Sequence, residues 1–388
     1  MARRSICGNS RWSADETRTG ACKFRGAAIP ENIVQYLTTL VRSWSGGSLG
    51  FTCHTGDLSW DELIAWVQDA ERLGYSAFCT TEESGKDAFA VLAVLAHETT
   101  TINLGTAIVN FYSRTPTLLA MSARSIFDLS GGRFGPLGLG AGGIGFMQRG
   151  HGITTERPLA RAKETVAIVR GLLTQKKFSY DGEWFKPKDF HLREGPIGEG
   201  APPIWLAGLG PKMVGTAAEV ADGVIANWLT EESLGEYRGL IERGAQSAGR
   251  DPAEVQIATL LMTCVDPQDD AAVFAARRGL AFYCASEHYL HIADICGLGG
   301  DARKVKVAWE ERDFDRATHL VSDRLLDKFS LAGTPEQNAK RIKWLFDNGV
   351  YPIVYPLPRH ARMVEDHHTT IRLAAEWARW SSQVAASD

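Results

Sequence analysis

Residues 129–150 read LSGGRFGPLGLGAGGIGFMQRG, and nine of these residues are glycine. Within the stretch, Gly138-Leu-Gly140-Ala-Gly-Gly143 satisfies G-x-G-x-x-G, the spacing of a dinucleotide-binding turn. That pattern carries meaning only in context: it belongs to the first strand–helix turn of a doubly wound sheet, with an acid about 20 residues further on. The residues outside the stretch therefore decide between that fold and another.

Upstream, SLGFTCH (48–54) reads as a buried strand, and Ser59-Trp-Asp-Glu62 is a capping box that opens a helix closed by Gly74. YSAFCT (75–80), a helix over 88–98, INLGTAIV (102–109) and a helix opened by Thr115-Pro116 follow, so RFGPLGL (133–139) is the fourth strand. Downstream, FSYDGEWF (178–185) reads as a hairpin insertion with Asp181-Gly182 at its turn. The alternation resumes with PIWLA (203–207), GVIAN (223–227), VQIATLLMTCV (255–265) and YPIVYPL (351–357), each followed by a helical pattern. Thr334-Pro335-Glu-Gln337 is a second capping box, and 286–330 is polar and helical with no placement. Eight strand–helix units imply a closed (β/α)8 barrel, with a doubly wound sheet as the competitor. The glycines then follow the fourth strand, no helix is expected to leave them directly, and no ribose-binding acid follows. Glycine there lets backbone approach a ligand at the barrel mouth, or simply makes a tight loop. Ala207-Gly208-Leu-Gly210-Pro211-Lys212 repeats the theme: a strand end, a helix N-terminus and a lysine, which together suit a phosphate.

The rest of the chain narrows the class. Its 388 residues carry a net charge of -4, with no reason for nucleic acid or an anionic membrane as partner. No apolar run approaches the ~20 residues of a membrane span, and no apolar core follows Arg3-Arg4 to make an export signal. Seven scattered cysteines without C-x-x-C suggest reduced thiols in a cytoplasmic protein. Residues 1–47 hold seven basic and three acidic residues and one short apolar stretch, 33–41, and are expected to form an extension to a barrel domain over 48–388. No G-x-S-x-G elbow supports hydrolase chemistry. Glu365-Asp-His367-His368 lacks a matching ligand set, so no metal is assigned and a solvated helix face is expected.

Three segments carry a resemblance: GKDAFAVLAVLAHETTTINLGTAIVNFYSRTP (85–116), FDLSGGRFGPLGLGAGG (127–143) and PPIWLAGLGPKMVGTAAEVADGVIANW (202–228). In that order, on those strands, they resemble the bacterial luciferase-like superfamily of flavin and deazaflavin oxidoreductases. The last block is most similar to methylenetetrahydromethanopterin reductases and their relatives, which use the deazaflavin F420. The resemblance implies a (β/α)8 barrel with an insertion before strand five, a dimer to which Ile126, Phe127 and Leu129 could contribute, and hydride transfer between F420 and a small organic substrate. The alternatives are an FMN-dependent two-component monooxygenase, served by a separate flavin or F420 reductase, and a non-catalytic flavin-binding protein.

It also implies roles. Ala107-Ile108 falls where deazaflavin members carry a non-prolyl cis peptide beneath the ring. Gly140, Ala141, Gly142 and Gly143 fall on the loop beside the cofactor, and Gly208, Leu209 and Gly210, with Lys212, on the phosphate side. Many members place a histidine after strand two, where this chain has Glu82; Glu82, Glu83 and His54 are the candidate proton donors, with Glu82 preferred for that position. Each has a plainer reading, as a solvated loop acid and a satisfied mouth histidine. The arginine that luciferases place two residues after the proline beyond strand three is absent from Thr115-Pro-Thr-Leu118. Trp60, Phe111, Tyr112, Phe146, Trp228 and Tyr355 are candidate walls of an apolar pocket.

Overall fold

The computed structural model describes residues 47–360 and 363–384. Apart from Gly47, the expected N-terminal extension lies outside the described residues, together with Cys7 and Cys22. The sheet comprises β1 (Gly50–Phe51), β2 (Ala77–Thr80), β3 (Asn103–Asn110), β4 (Phe134–Gly140), β5 (Ile204–Ala207), β6 (Gly223–Ile225), β7 (Gln256–Cys264), β8 (Ser330–Leu331) and β9 (Val350–Leu357). All pairings are parallel, and β9 pairs with both β7 and β1, which closes the ring. The two-residue β8 pairs with β7 alone and stays outside the ring. Eight strands therefore make a closed (β/α)8 barrel, and the doubly wound alternative is excluded.

The helices are α1 (Trp60–Leu73), α2 (Ala88–Glu98), α3 (Pro116–Leu129), α4 (Ile144–Gly150), α5 (Pro158–Thr174), α6 (Pro211–Val220), α7 (Glu231–Ser247), α8 (Asp270–Cys284), α9 (Glu287–Ile295), α10 (Gly299–Glu310), α11 (Phe314–His319), α12 (Asp323–Phe329), α13 (Pro335–Asp347) and α14 (Val364–Val384). Both expected capping boxes form, at Ser59–Glu62 and Thr334–Gln337, because hydroxyl and N3 side chain each satisfy an otherwise orphaned amide. Ala77, Cys79, Ala107, Trp205, Ile225, Ala258, Tyr351 and Ile353 fill the barrel. A larger apolar layer lies between strands and helices. The polar stretch that resisted placement folds into α9–α12, whose alanines and leucines pack on the upper ends of β7 and β9.

Several expectations change. A helix, α4, does leave the glycine loop directly, with Gly143 as its N-cap; strand order, not the lack of a helix, rules out the dinucleotide fold. The insertion pairs Phe178 with Phe190 and closes through the Gly182 amide to the Phe185 carbonyl, so its turn is at Glu183-Trp184, two residues past Asp181-Gly182. The cause is Glu164 on α5, whose carboxylate accepts from the amides of Glu183, Trp184 and Phe185 at 2.7–3.1 Å. The α14 face expected to be solvated is buried: His367 packs edge-on against Trp66, and Asp366 pairs with Arg359. Ile126 also lies in the core and cannot serve an interface.

Candidate active site

The mouth has two unlike halves. Over β3, β4 and β5 the side chains are small. The Thr106 hydroxyl donates to the Gly138 carbonyl at 2.7 Å, and a β-carbon on Gly138 would stand 2.0 Å from the Thr106 carbonyl oxygen, so only glycine fits. The Ala107–Ile108 peptide is cis, and the β3–β4 register shifts across it. Asn110, 2% exposed, donates to the Ala141 carbonyl at 2.6 Å and accepts from the Tyr112 amide, which ties the end of β3 to the glycine loop. Ala107, Ile108, Gly140, Ala141, Gly142 and Gly143 thus come together as one wall.

Beside that wall, the β5–α6 turn points its backbone upward. The Leu209 carbonyl accepts from the Tyr237 hydroxyl and the Gly208 amide donates to Ile225. Among the described residues the amides of Leu209, Gly210 and Lys212 donate to no protein acceptor, and Lys212 has no ion pair. Amides at a helix N-terminus with a free lysine form an anion cradle. A β-carbon on Gly210 would lie 3.3 Å from the His288 ring, a contact that needs the exposed ring to give by a few tenths of an ångström.

Over β1, β2 and β9 the mouth is polar and aromatic. His54 Nδ1 lies 3.1 Å from Glu83, and its ring meets Tyr355 edge-on at 5.5 Å between centroids. The Glu83 hydrogen bond raises the His54 pKa above its ordinary 6.5, against burial, which lowers it. A cavity of about 390 Å³ opens between the loops after β1 and β2, with His54, Asp57, Thr81 and Glu83 on its wall. Lys86 bridges the loops by donating to the carbonyls of Thr55 and Leu58.

Glu82 is placed otherwise. Arg114 donates to both its carboxylate oxygens, at 2.6–3.2 Å, and also pairs with Asp87. The Glu82 amide donates to the Ile108 carbonyl at 3.1 Å. A guanidinium that donates to both oxygens uses this carboxylate as a hydrogen-bond acceptor and anchor. The structure brings His54 together with Glu83, one residue later. Of the candidate walls, Phe111, Trp228, Tyr355 and Tyr112 are buried, Phe146 is half-buried and Trp60 lies open at 41%.

The description "Luciferase-like monooxygenase" matches residues 42–351. The chain belongs to the luciferase-like monooxygenase family. It is 34% identical over 306 residues to a 5,10-methylenetetrahydromethanopterin reductase of Methanolobus tindarius, covering 76% of this chain and 90% of that one. A 5,10-methylenetetrahydromethanopterin reductase of Archaeoglobus fulgidus is 33% identical over 308 residues, covering 78% and 91%. Among solved structures, the coenzyme F420-dependent tetrahydromethanopterin reductase of Methanopyrus kandleri superposes with a TM-score of 0.73 at 23% identity, covering 85% of this chain and 98% of that one, which shows the shared fold.

Within this luciferase-like barrel, reading the sequence missed two residues: Asn110 and Arg114. Asn110 and Arg114 carried a signal, since polar side chains leaving an apolar strand end at a barrel mouth. Glu83 was a candidate behind Glu82, and the sequence could not rank the two because one residue decides which of two neighbouring acids meets His54. Among the described residues no group of three or more His, Cys, Asp or Glu side chains could hold a metal ion, and no helix is long and apolar enough to cross a membrane.

Proposed function

We propose that this chain is an oxidoreductase that moves hydride between the deazaflavin F420 and a small organic substrate. The observation that carries the reading is the free-amide turn at Leu209, Gly210 and Lys212 beside a wall of glycine and alanine: a flat ring fits the wall, and a phosphate fits the turn. The reductases among its relatives support it. When bound, the deazaflavin supplies the hydride. Ala107, Ile108, Gly140, Ala141, Gly142 and Gly143 back the ring, and Gly208, Leu209, Gly210 and Lys212 hold the phosphate. His54 donates the proton that the reduced substrate needs, with Glu83 holding the ring and stabilising its charged form. Glu82 does not share that task; with Arg114 it anchors the β2 loop to the Ile108 carbonyl.

The test is a parallel titration of the full chain with F420 and FMN, followed by absorbance and fluorescence. F420 should bind more tightly. Tighter FMN would establish the two-component monooxygenase, with its separate reductase, instead. Binding of either without turnover on any donor would favour the non-catalytic flavin-binding alternative.

A barrel domain over 48–388, a cytoplasmic location and a homodimer belong to the same reading. For the dimer, α3 exposes Leu118, Met121 and Leu129 on one side, at 43%, 46% and 60%. A monomeric mass by light scattering at micromolar concentration overturns it.

A further inference from the structure

Helix α5 begins where the loop beyond the glycine wall ends, and its first turn is left open. Arg157, the N-cap, has a φ of 51° and no side-chain bond to the turn, and Pro158 has no N–H. Among the described residues the amides of Leu159 and Ala160 donate to no protein acceptor. Arg161 follows them. Its guanidinium lies 3.9 Å over the ring of Trp184, from the insertion, and 5.1 Å from that of Tyr112, just beyond β3. Aromatic faces hold a guanidinium flat and in place without neutralising it. Among the described residues this side chain makes no ion pair and no hydrogen bond, and its Nε is buried. The indole Nε1 of Trp184 and the hydroxyl of Thr165, one turn further along α5, are also buried without a partner. The acids nearby are used elsewhere. Glu164 serves three amides of the insertion, Glu183 pairs with Arg157, and Glu156 gives the Tyr112 hydroxyl its carbonyl. A half-buried guanidinium without a counter-charge, beside orphaned donors, costs free energy until something accepts from it. Water would accept hydrogen bonds and leave the charge standing; an anion answers both.

We propose that the first turn of α5, beside Tyr112 and the insertion, is a binding site for a carboxylate-bearing ligand, with Arg161 as the residue that pairs with the carboxylate. A carboxylate is planar and meets a guanidinium in its own plane, which suits a cation lying flat on an indole. A tetrahedral phosphate carries oxygens out of that plane. The helix dipole favours negative charge at this end of α5, and the two free amides add donors. Tyr112 borders the mouth, so the ligand has two sources: a carboxylate carried by the cofactor itself, or a separate organic acid. Arg161 binds that carboxylate whether or not the ring in the mouth is F420.

The test follows the Trp184 indole N–H in heteronuclear NMR spectra of the full chain, the signal being identified by its loss in Trp184→Phe. Sodium glutarate is titrated in, with sodium chloride at matched ionic strength as the control. Wild type should show a saturable shift of this signal with glutarate and none with chloride. Arg161→Lys keeps the charge without the planar fork and should bind glutarate about tenfold more weakly, and Arg161→Gln should abolish the shift. Thermal melting is measured on each variant; should Arg161→Gln fail to fold, Arg161→Lys carries the comparison. F420 alone moving the signal and blocking glutarate would identify the cofactor as the source. Glutarate still acting on the F420-saturated protein would identify a separate acid. A signal unmoved by glutarate and F420, an equal response to chloride, or an undiminished response in the folded Arg161 variants overturns the site. Failure of F420 to bind wild type would instead overturn the deazaflavin reading, with glutarate still deciding Arg161.

Discussion

Arg133, at the foot of β4, and Tyr355, near the head of β9, are about equally buried, at 8% and 6% exposed. Yet Arg133 donates to the Thr99 hydroxyl and to the carbonyls of Ala96, Thr99 and Ile102, while the Tyr355 hydroxyl has no protein acceptor. The contrast runs around both rims. At the lower rim the Glu71 carboxylate accepts from Thr100, Thr101 and Ile102 amides, Asp222 pairs with Arg170 and caps the Ile204 amide, and Arg250 donates to two carbonyls. At the upper rim Lys212, Asp57, three amides and the Tyr355 hydroxyl have no protein partner among the described residues. One rim uses its polar groups to hold strands to helices; the other, beside its own Arg114 and Lys86 ties, keeps several for a ligand.

The comparison can be broken by substitution. Arg133→Met should cost the largest amount, about 3 kcal/mol in denaturant unfolding, since it strands several buried acceptors, and should leave the cofactor affinity of the folded protein unchanged. Stability equal to wild type would show that the lower rim is not where stability is held. His54→Gln should do the reverse, lowering kcat about 10²-fold with an unchanged melting temperature.

Glu83→Gln sharpens this. The rate should fall as pH rises through the raised His54 pKa, because the proton donor is lost there. Removing the carboxylate should move that falling limb to lower pH. The same pair contributes to stability below imidazole's ordinary value of 6.5, and that contribution is lost as pH rises through the raised one. A pH–rate profile identical in the two proteins would remove Glu83 from the mechanism.

Gly210→Val should weaken F420 binding about tenfold or more by pressing on the His288 ring, and Lys212→Ala about threefold, read by titration. The smallest effect is expected at His367, whose pKa burial lowers. As pH falls below 6.5 the unfolded chain takes up this proton before the folded one does, so stability drops. His367→Gln should narrow the gap in melting temperature between about pH 7 and about pH 5.

The helix starts and the barrel order were legible because they rest on local chemistry. Ser59, Thr115 and Thr334 satisfy amides within their own helix turn, and a strand's apolar run needs no distant partner to be recognised. Gly138 was legible too, since glycine on a strand marks a close approach of backbone. What failed was long-range. Nothing near Glu82 in sequence announces that Arg114 will take both its oxygens. The solvated face expected at His367 failed because Trp66, some 300 residues away in the chain, covers it.

Glu164 gives the insertion over 178–190 its form from outside. The carboxylate sits on α5 and carries no part of the loop, yet three consecutive loop amides close upon it. Sequence variation within the loop is therefore tolerated where it spares those amides, Gly182 beside the carboxylate, and the aromatic residues packed on the core and on Arg161. A loop of this kind transplanted alone onto another barrel would arrive without its mould; transplanted with α5, it would refold as it is.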